Sequence, residues 1–195
     1  MLIGERISLV PTKREYIESY IRWINDPEIT QFTVMYRPMT REMEENWYDN
    51  LLERENDFLF AIVVLEENDQ EILIGNCGVH QVNWKDRVGE CGIMIGEKNY
   101  WGKRYGTEAM ELLMDYGFKT LNLNRIELKV YDFNQRAIHC YEKLGFVREG
   151  LKRQAVFING DYHDILIMGI LQQEWKEKRN GKSLESLYSN FTNLV

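Results

Sequence analysis

Asn99-Tyr100-Trp101-Gly102-Lys103-Arg104-Tyr105-Gly106-Thr107-Glu108-Ala109 is the stretch on which the reading of this chain turns. Two glycines and two cations lead there straight into a helical pattern. A loop of that kind presents backbone N–H groups at the positive end of a helix, where a phosphate is readily held. Phosphate loops of several kinds share the spacing, so its weight comes from its flanks. Before it, Val88-Gly89-Glu90-Cys91-Gly92-Ile93-Met94-Ile95 reads as a strand. After it, Asn134-Gln135-Arg136-Ala137-Ile138-His139-Cys140-Tyr141-Glu142-Lys143-Leu144-Gly145-Phe146 opens on a helix-capping residue and stops on a glycine.

The rest of the chain continues the alternation. Arg6 to Val10 alternates like a short strand; Ile17, Tyr20, Ile21 and Ile24 then recur at helical spacing until Asn25-Asp26-Pro27. Thr40 precedes the acidic turn of Glu42, Glu44 and Glu45, which predicts a second helix reaching toward Asn56. Phe58 to Leu65 and Ile72 to Val79 are apolar and β-branched, and the polar Glu66-Glu67-Asn68-Asp69-Gln70 between them predicts a hairpin. Met110, Leu113, Met114, Gly117 and Leu121 form one apolar helix face, and Arg125 to Tyr131 reads as the next strand. Phe146 to Leu151 and Asp164 to Leu171 close a mixed α/β sheet in one layered domain.

The chain has 195 residues, 44% of them apolar and 12% aromatic, enough for one well-buried core. The expected domain covers residues 1–175, and 176–195 form a polar tail that ends as a loosely held helix or a frayed terminus. No basic start is followed by an apolar run, and no stretch is long enough to span a bilayer, so a cytoplasmic protein without membrane contact is expected. Cys77, Cys91 and Cys140 lack paired spacing, and His80, His139 and His163 make no ligand pattern; neither disulfides nor a metal is indicated. The net charge of -7 disfavours a nucleic-acid surface and favours a cationic partner.

With these pieces in order, the sequence resembles the GNAT superfamily of acetyl-coenzyme A-dependent N-acetyltransferases, especially the branch of ribosomal-protein N-terminal and spermidine/diamine acetyltransferases. The resemblance is sharpest from Val88 to Leu171. It implies a single-domain fold with a mixed, mostly antiparallel central sheet flanked by helices. The family loop, Gln/Arg-x-x-Gly-x-Gly/Ala, is matched by Trp101 to Gly106, with Trp101 and Arg104 at the first and fourth positions. Arg104 still offers its backbone N–H and adds a charge suited to phosphate. The second block, Asn134 through Phe146, resembles the family's Asn-x-x-Ala-x-x-x-Tyr-x-Lys-x-Gly-Phe helix without departure.

Acetyl-CoA is the implied cosubstrate. The resemblance implies that it is held by the backbone of Ile93, Met94 and Ile95, by Trp101, Gly102, Lys103, Arg104, Tyr105, Gly106 and Thr107, and by Asn134, Ala137, Tyr141 and Lys143. An attacking amine must be neutral, so a proton acceptor is needed near it, and Glu90 on the strand is the candidate. Its plain alternative is a solvated or ion-paired carboxylate. A thiolate leaving group needs a proton, and Tyr141 is the candidate donor, its alternative being a core aromatic on the apolar face of its helix. His139 and Cys140 are helix neighbours that point to different faces, which disfavours a covalent Cys/His route.

The expected reaction is direct attack of a primary amine on the thioester. The acceptor is a protein N-terminus, a polyamine or another small amine such as that of a sugar or antibiotic. Trp23, Phe32, Trp47 and Trp84 are candidates for the acceptor pocket or for core. The other class of function left open is an acetyl-CoA-binding sensor or interaction module without turnover, and a homo-oligomer is compatible with the sequence.

Overall fold

A computed structural model describes residues 1–65 and 71–181. One eight-stranded sheet runs in the order β1-β2-β3-β4-β5-β6-β8-β7. The strands are β1 Leu2–Ile3, β2 Ile7–Pro11, β3 Phe58–Leu65, β4 Glu71–Asn83, β5 Val88–Ile95, β6 Arg125–Tyr131, β7 Val147–Ile158 and β8 Asp161–Leu171. Every neighbouring pair is antiparallel except β5 with β6. Parallel neighbours need a long crossover, and the chain between β5 and β6 supplies one in helix α4, Tyr105–Asp115. The remaining helices are α1 Ile17–Ile24, α2 Pro27–Thr30, α3 Arg41–Asp49, α5 Gln135–Leu144 and α6 Gln172–Arg179 (α numbering follows the chain, with α4 in place).

The sheet is covered on both faces. On β3, Ala61 and Val63 join Tyr20 and Trp23 of α1 and Ile29 of α2 in one core. Ile62, between them, points the other way and packs with Met110, Leu113 and Met114 of α4 and Ile138 of α5. A strand buried on both faces reads as a continuous apolar run, which is why Phe58 to Leu65 carries so few polar residues. Each such side chain contributes about 1.5–3 kcal/mol when fully withdrawn from water.

Several expected elements change length. The second helix stops at Asp49 and is followed by a 3-10 turn, Asn50–Glu53. The Asn50 side-chain amide donates at 2.7 Å to the Asn46 carbonyl, which also accepts from the Asn50 backbone N–H, so this C-cap side chain bonds back onto the last helical turn. β7 and β8 are longer than the sequence pattern indicated. Asn159 and Gly160 join them in a tight turn with φ of 54° and 97°, the left-handed region in which glycine is at ease. β1 and α2 were not anticipated. The Asp26 carboxylate caps α2 by accepting from the Glu28 N–H at 3.0 Å, and Pro27 takes the first turn, where its missing donor costs nothing. The turn at Glu66–Gln70 and the tail from residue 182 lie outside the described residues.

Helix α6 crosses the boundary drawn at residue 175 and runs to Arg179. Trp175 anchors it: the ring is 1% exposed, and its indole N–H donates to the Asp115 carboxylate at 2.8 Å. Arg179 reaches the other oxygen of Asp115 at 3.1 Å. Trp175→Ala is therefore expected to lower folding stability by about 3–5 kcal/mol, as large aromatic truncations in cores do, whereas Arg179→Ala costs less than about 1 kcal/mol, as for an exposed ion pair. Urea titrations of the two variants check this, and equal losses would show that α6 is held by its charges rather than by the ring.

Candidate active site

β5 and β6 pair over only three positions, Val88↔Arg125, Gly89↔Ile126 and Glu90↔Glu127. Both strands continue beyond that point, β5 to Ile95 and β6 to Tyr131, without further pairing to each other. β4 takes the other edge of β5, with Cys77↔Ile93, Asn76↔Met94 and Gly75↔Ile95. Residues 91–95 thus turn one backbone edge toward the gap, an edge that an extended ligand with amides can pair with. The gap widens into a cleft of about 1610 Å³ that also reaches the loop ahead of α4 and the first turns of α4 and α5.

Helix α4 begins without a side-chain cap. Its N-cap is Arg104, with φ 68° and ψ 8°, so this arginine holds the left-handed conformation that a glycine would adopt with ease. The first N–H groups of α4 are left without a side-chain acceptor. Gly102 is also left-handed, at φ 71°. The Trp101 indole donates to the Ile95 carbonyl at 2.7 Å, tying the loop to the end of β5. The Arg136 guanidinium stacks over the Trp101 ring at 4.4 Å and reaches the Phe32 ring at 5.7 Å.

On the α5 side, Asn134 caps its helix by accepting from the Ala137 N–H at 3.3 Å. Its side-chain amide N–H groups have no partner among the described residues. Tyr141 is buried, packs on Phe146 with ring centroids 5.8 Å apart and reaches the cleft. Burial pushes its phenol pKa up, so it remains protonated. Its hydroxyl meets no hydrogen-bond partner among the described residues. Cys140 sits one residue earlier, with its sulfur 3.2 Å from the Thr107 hydroxyl. Burial raises its pKa too, which leaves it a thiol and a poor nucleophile. His139 Nδ1 lies 2.7 Å from the Gln135 carbonyl oxygen, so the two neighbours are engaged separately.

Glu90 faces the cleft, and one of its oxygens lies 2.5 Å from the Lys129 ammonium. His80 stands opposite Glu90 on β4, and burial pushes its pKa down. The cleft brings together Ile93, Met94, Ile95, Trp101, Gly102, Arg104, Tyr105, Gly106, Thr107, Asn134, Ala137, Tyr141, Lys143 and Glu90. Lys103 alone among the expected cofactor residues does not line it; its side chain is exposed and its carbonyl accepts from Arg6 at 2.9 Å. Of the aromatic residues suggested for an acceptor pocket, only Phe32 lines the cleft, together with Ile29, Thr33 and Val34. Trp23 is core and donates to Glu97, Trp47 packs in the same core, and Trp84 donates to Asn56 outside the cleft. Arg6, Lys129 and Arg136 line the site without having been singled out. For Lys129 the strand parity it shares with Glu127 was an available signal; for Arg6 and Arg136 local sequence offered none.

The uncapped helix and the open strand edge suit a ligand with phosphates at one end and amides along its length. The chain belongs to the GNAT acetyltransferase family: residues 6–147 match the model of the acetyltransferase (GNAT) domain. It is an acetyl-CoA-dependent N-acetyltransferase. An uncharacterized N-acetyltransferase p20 of Bacillus licheniformis is 33% identical over 179 residues, 89% of this chain and 97% of that one. Escherichia coli K12 spermidine N(1)-acetyltransferase is 41% identical over 106 residues, covering 53% of this chain and 56% of that relative. The human alpha/beta-tubulin-N-acetyltransferase 9 is 28% identical over 155 residues, covering 75% and 74%. The crystal structure of Vibrio cholerae spermidine N-acetyltransferase in complex with CoA and spermine superposes with a TM-score of 0.80 at 27% identity, covering 89% of this chain and 99% of that one. No helix among the described residues is long and apolar enough to cross a membrane.

Because Arg104 is left-handed, Arg104→Gly is expected to raise folding stability by about 0.5–1 kcal/mol, the relief of the side-chain clash outweighing the added freedom of the unfolded chain. Chemical denaturation reads the change. A destabilised variant would mean that the arginine side chain holds the loop more strongly than its backbone strains it.

Proposed function

We propose that the cleft between β5 and β6 carries direct transfer of an acetyl group to a primary amine, with Tyr141 and Glu90 handling the two protons. The observation that carries this reading is the juxtaposition in one cleft of an unpaired strand edge, an uncapped helix N-terminus and a protonated, unpartnered phenol. Acetyl-CoA supplies a thioester acetyl when bound. The backbone edge of Ile93 to Ile95 and the Asn134 amide would hold its amide-bearing arm, and the α4 N-terminus with the Arg104 cation would hold its phosphates.

The amine arrives as an ammonium at neutral pH and must lose a proton before it can attack. Glu90 takes that proton, directly or through water, from its place in the cleft beside the Lys129 ammonium. The Tyr141 hydroxyl donates toward the departing sulfur. Its burial keeps the proton in place until negative charge develops there. A backbone N–H of the open β5 edge would be available to the carbonyl oxygen as charge builds on it.

The acceptor we favour is a small amine carrying further positive charge, supported by the net charge of -7 and by relatives named for spermidine acetylation. A protein N-terminus is the second reading. Its support is the uncharged wall of Ile29, Phe32, Thr33 and Val34 and a tubulin-acetylating relative that aligns over three quarters of the chain. Thiol release from acetyl-CoA, measured with spermidine, spermine and peptides with free N-termini, separates the two. No release with any amine would leave a binding module in place of an enzyme.

Tyr141→Phe is expected to lower kcat by about 100-fold or more with little change in the KM for acetyl-CoA, because a positioned proton donor acts only as the thiolate leaves. Unchanged kcat would remove Tyr141 from the mechanism.

Glu90→Gln is expected to lower kcat at neutral pH and to recover part of the loss as pH rises, since alkaline solution supplies the neutral amine that the base otherwise makes. The pH–rate profile with one acceptor checks this. If wild type and variant gave parallel profiles, Glu90 would be a structural partner of Lys129 only.

A further inference from the structure

The turn between β1 and β2 comes from the far end of the chain and the opposite side of the sheet order, yet it grips the loop ahead of α4. The Arg6 backbone N–H donates to Glu108 Oε1 at 2.8 Å, and its guanidinium Nε donates to Oε2 at 2.9 Å. Arg6 Nη1 donates to the Lys103 carbonyl at 2.9 Å, and the guanidinium carbon lies 4.5 Å from the centre of the Tyr105 ring. One residue thus touches positions 103, 105 and 108, on both sides of the left-handed Arg104. The fit is close. A Cβ on Gly4 would stand 2.6 Å from Glu108 Oε1, so a side chain at residue 4 would push the carboxylate from its present place.

Glu108 is an awkward residue where it stands. It lies in the first turn of α4 and lines the cleft, and only 14% of its side chain is exposed. A carboxylate near a helix N-terminus is favourable for the helix alone, but it opposes any second anion brought to the same N–H groups. Arg6 occupies both of its oxygens and so cancels the charge that would repel a phosphate.

We propose that Arg6 is a positioning residue for the cosubstrate: it neutralises Glu108 and pins the Lys103 carbonyl, so that the backbone around Arg104 faces the phosphates without a competing anion. The proposal rests on the reading that this loop holds the phosphates of acetyl-CoA. It assigns to Arg6 no contact with the reacting atoms.

Three proteins are titrated with CoA and with a pantetheine analogue lacking phosphates, and are assayed for turnover: Arg6→Ala, Glu108→Gln and the double variant. Wild type is run in parallel, and failure of wild type to bind CoA would overturn the assignment of the cofactor site itself before Arg6 is considered. Arg6→Ala is expected to weaken CoA binding by about 5- to 10-fold, the scale of one uncompensated nearby charge. Pantetheine binding and kcat at saturating acetyl-CoA should stay within about 2-fold on the same argument. Adding Glu108→Gln to Arg6→Ala should restore most of the lost CoA affinity, because the charge that Arg6 cancelled is gone. A merely structural brace predicts no such recovery. Glu108→Gln alone keeps Arg6 and does not depend on the stability of the alanine variant; it should bind CoA at least as tightly as wild type. Weaker CoA binding by Glu108→Gln, absence of recovery in the double variant, or equal losses for CoA and pantetheine in Arg6→Ala would each overturn the proposal.

Discussion

The constraint on which the molecule depends is that β5 and β6 stop pairing after Glu90 and Glu127. A strand edge left open inside a domain exposes backbone donors and acceptors whose burial without partners costs about 1–3 kcal/mol each, so the gap has to remain wet or filled. The rest of the fold keeps it from closing. β4 holds β5 along its other edge, and β8 pairs with β6 along its whole length, so each strand is fixed by a different neighbour. At the closed end, Arg125 joins Glu127 and Glu149 and lies across Gly169, where a Cβ would have to displace the guanidinium and the Glu149 carboxylate. The strands are clamped at one end and held apart at the other.

The helices on either side convert that gap into a site. α4 and α5 both start at its rim, one with an empty cap and one capped by Asn134. Trp101 joins the two features by taking the Ile95 carbonyl, which places an aromatic ring where the family loop has a hydrogen-bonding side chain. That ring then serves as a platform for Arg136, so the departure from the family pattern adds a cation to the mouth of the site.

Much of this was legible in the sequence because local signals and long-range packing agree. Asn134, Ala137, Ile138, Tyr141, Leu144 and Gly145 specify a capped helix with one apolar face, and the helix is there with Gly145 left-handed at its end. The turn of the glycine loop into α4 was legible for the same reason, although nothing in the sequence marks Arg104 as left-handed. The β7–β8 hairpin was underestimated in length even though Asn159-Gly160 is a strong hairpin turn, because the polar run from Lys152 to Gln154 on an exposed strand face lacks apolar alternation. The tryptophans stayed open between pocket and core for a different reason. Composition indicates that aromatic rings will be buried, but not in which of two cores, and Trp23 and Trp47 pack in the core with Tyr20, Ala61 and Val63 without lining the cleft themselves. The grip of Arg6 on Glu108 was beyond reach, since it joins residues about a hundred positions apart with no local pattern at either end.

The charges lining the cleft differ in balance from those of the chain. The protein carries a net charge of -7, yet among the described residues seven arginines and lysines line the cleft against four glutamates. An anion approaching a protein of this net charge is repelled on average, while low-dielectric walls focus the field of the cleft outward through its mouth. Encounter is thereby guided as well as retained, and the guidance fades as added salt shortens the reach of each charge to about 10 Å or less. The same arrangement treats ligands by sign before any contact forms: phosphate-bearing molecules are drawn toward the cationic lining, and amines are drawn by the net negative charge of the whole protein.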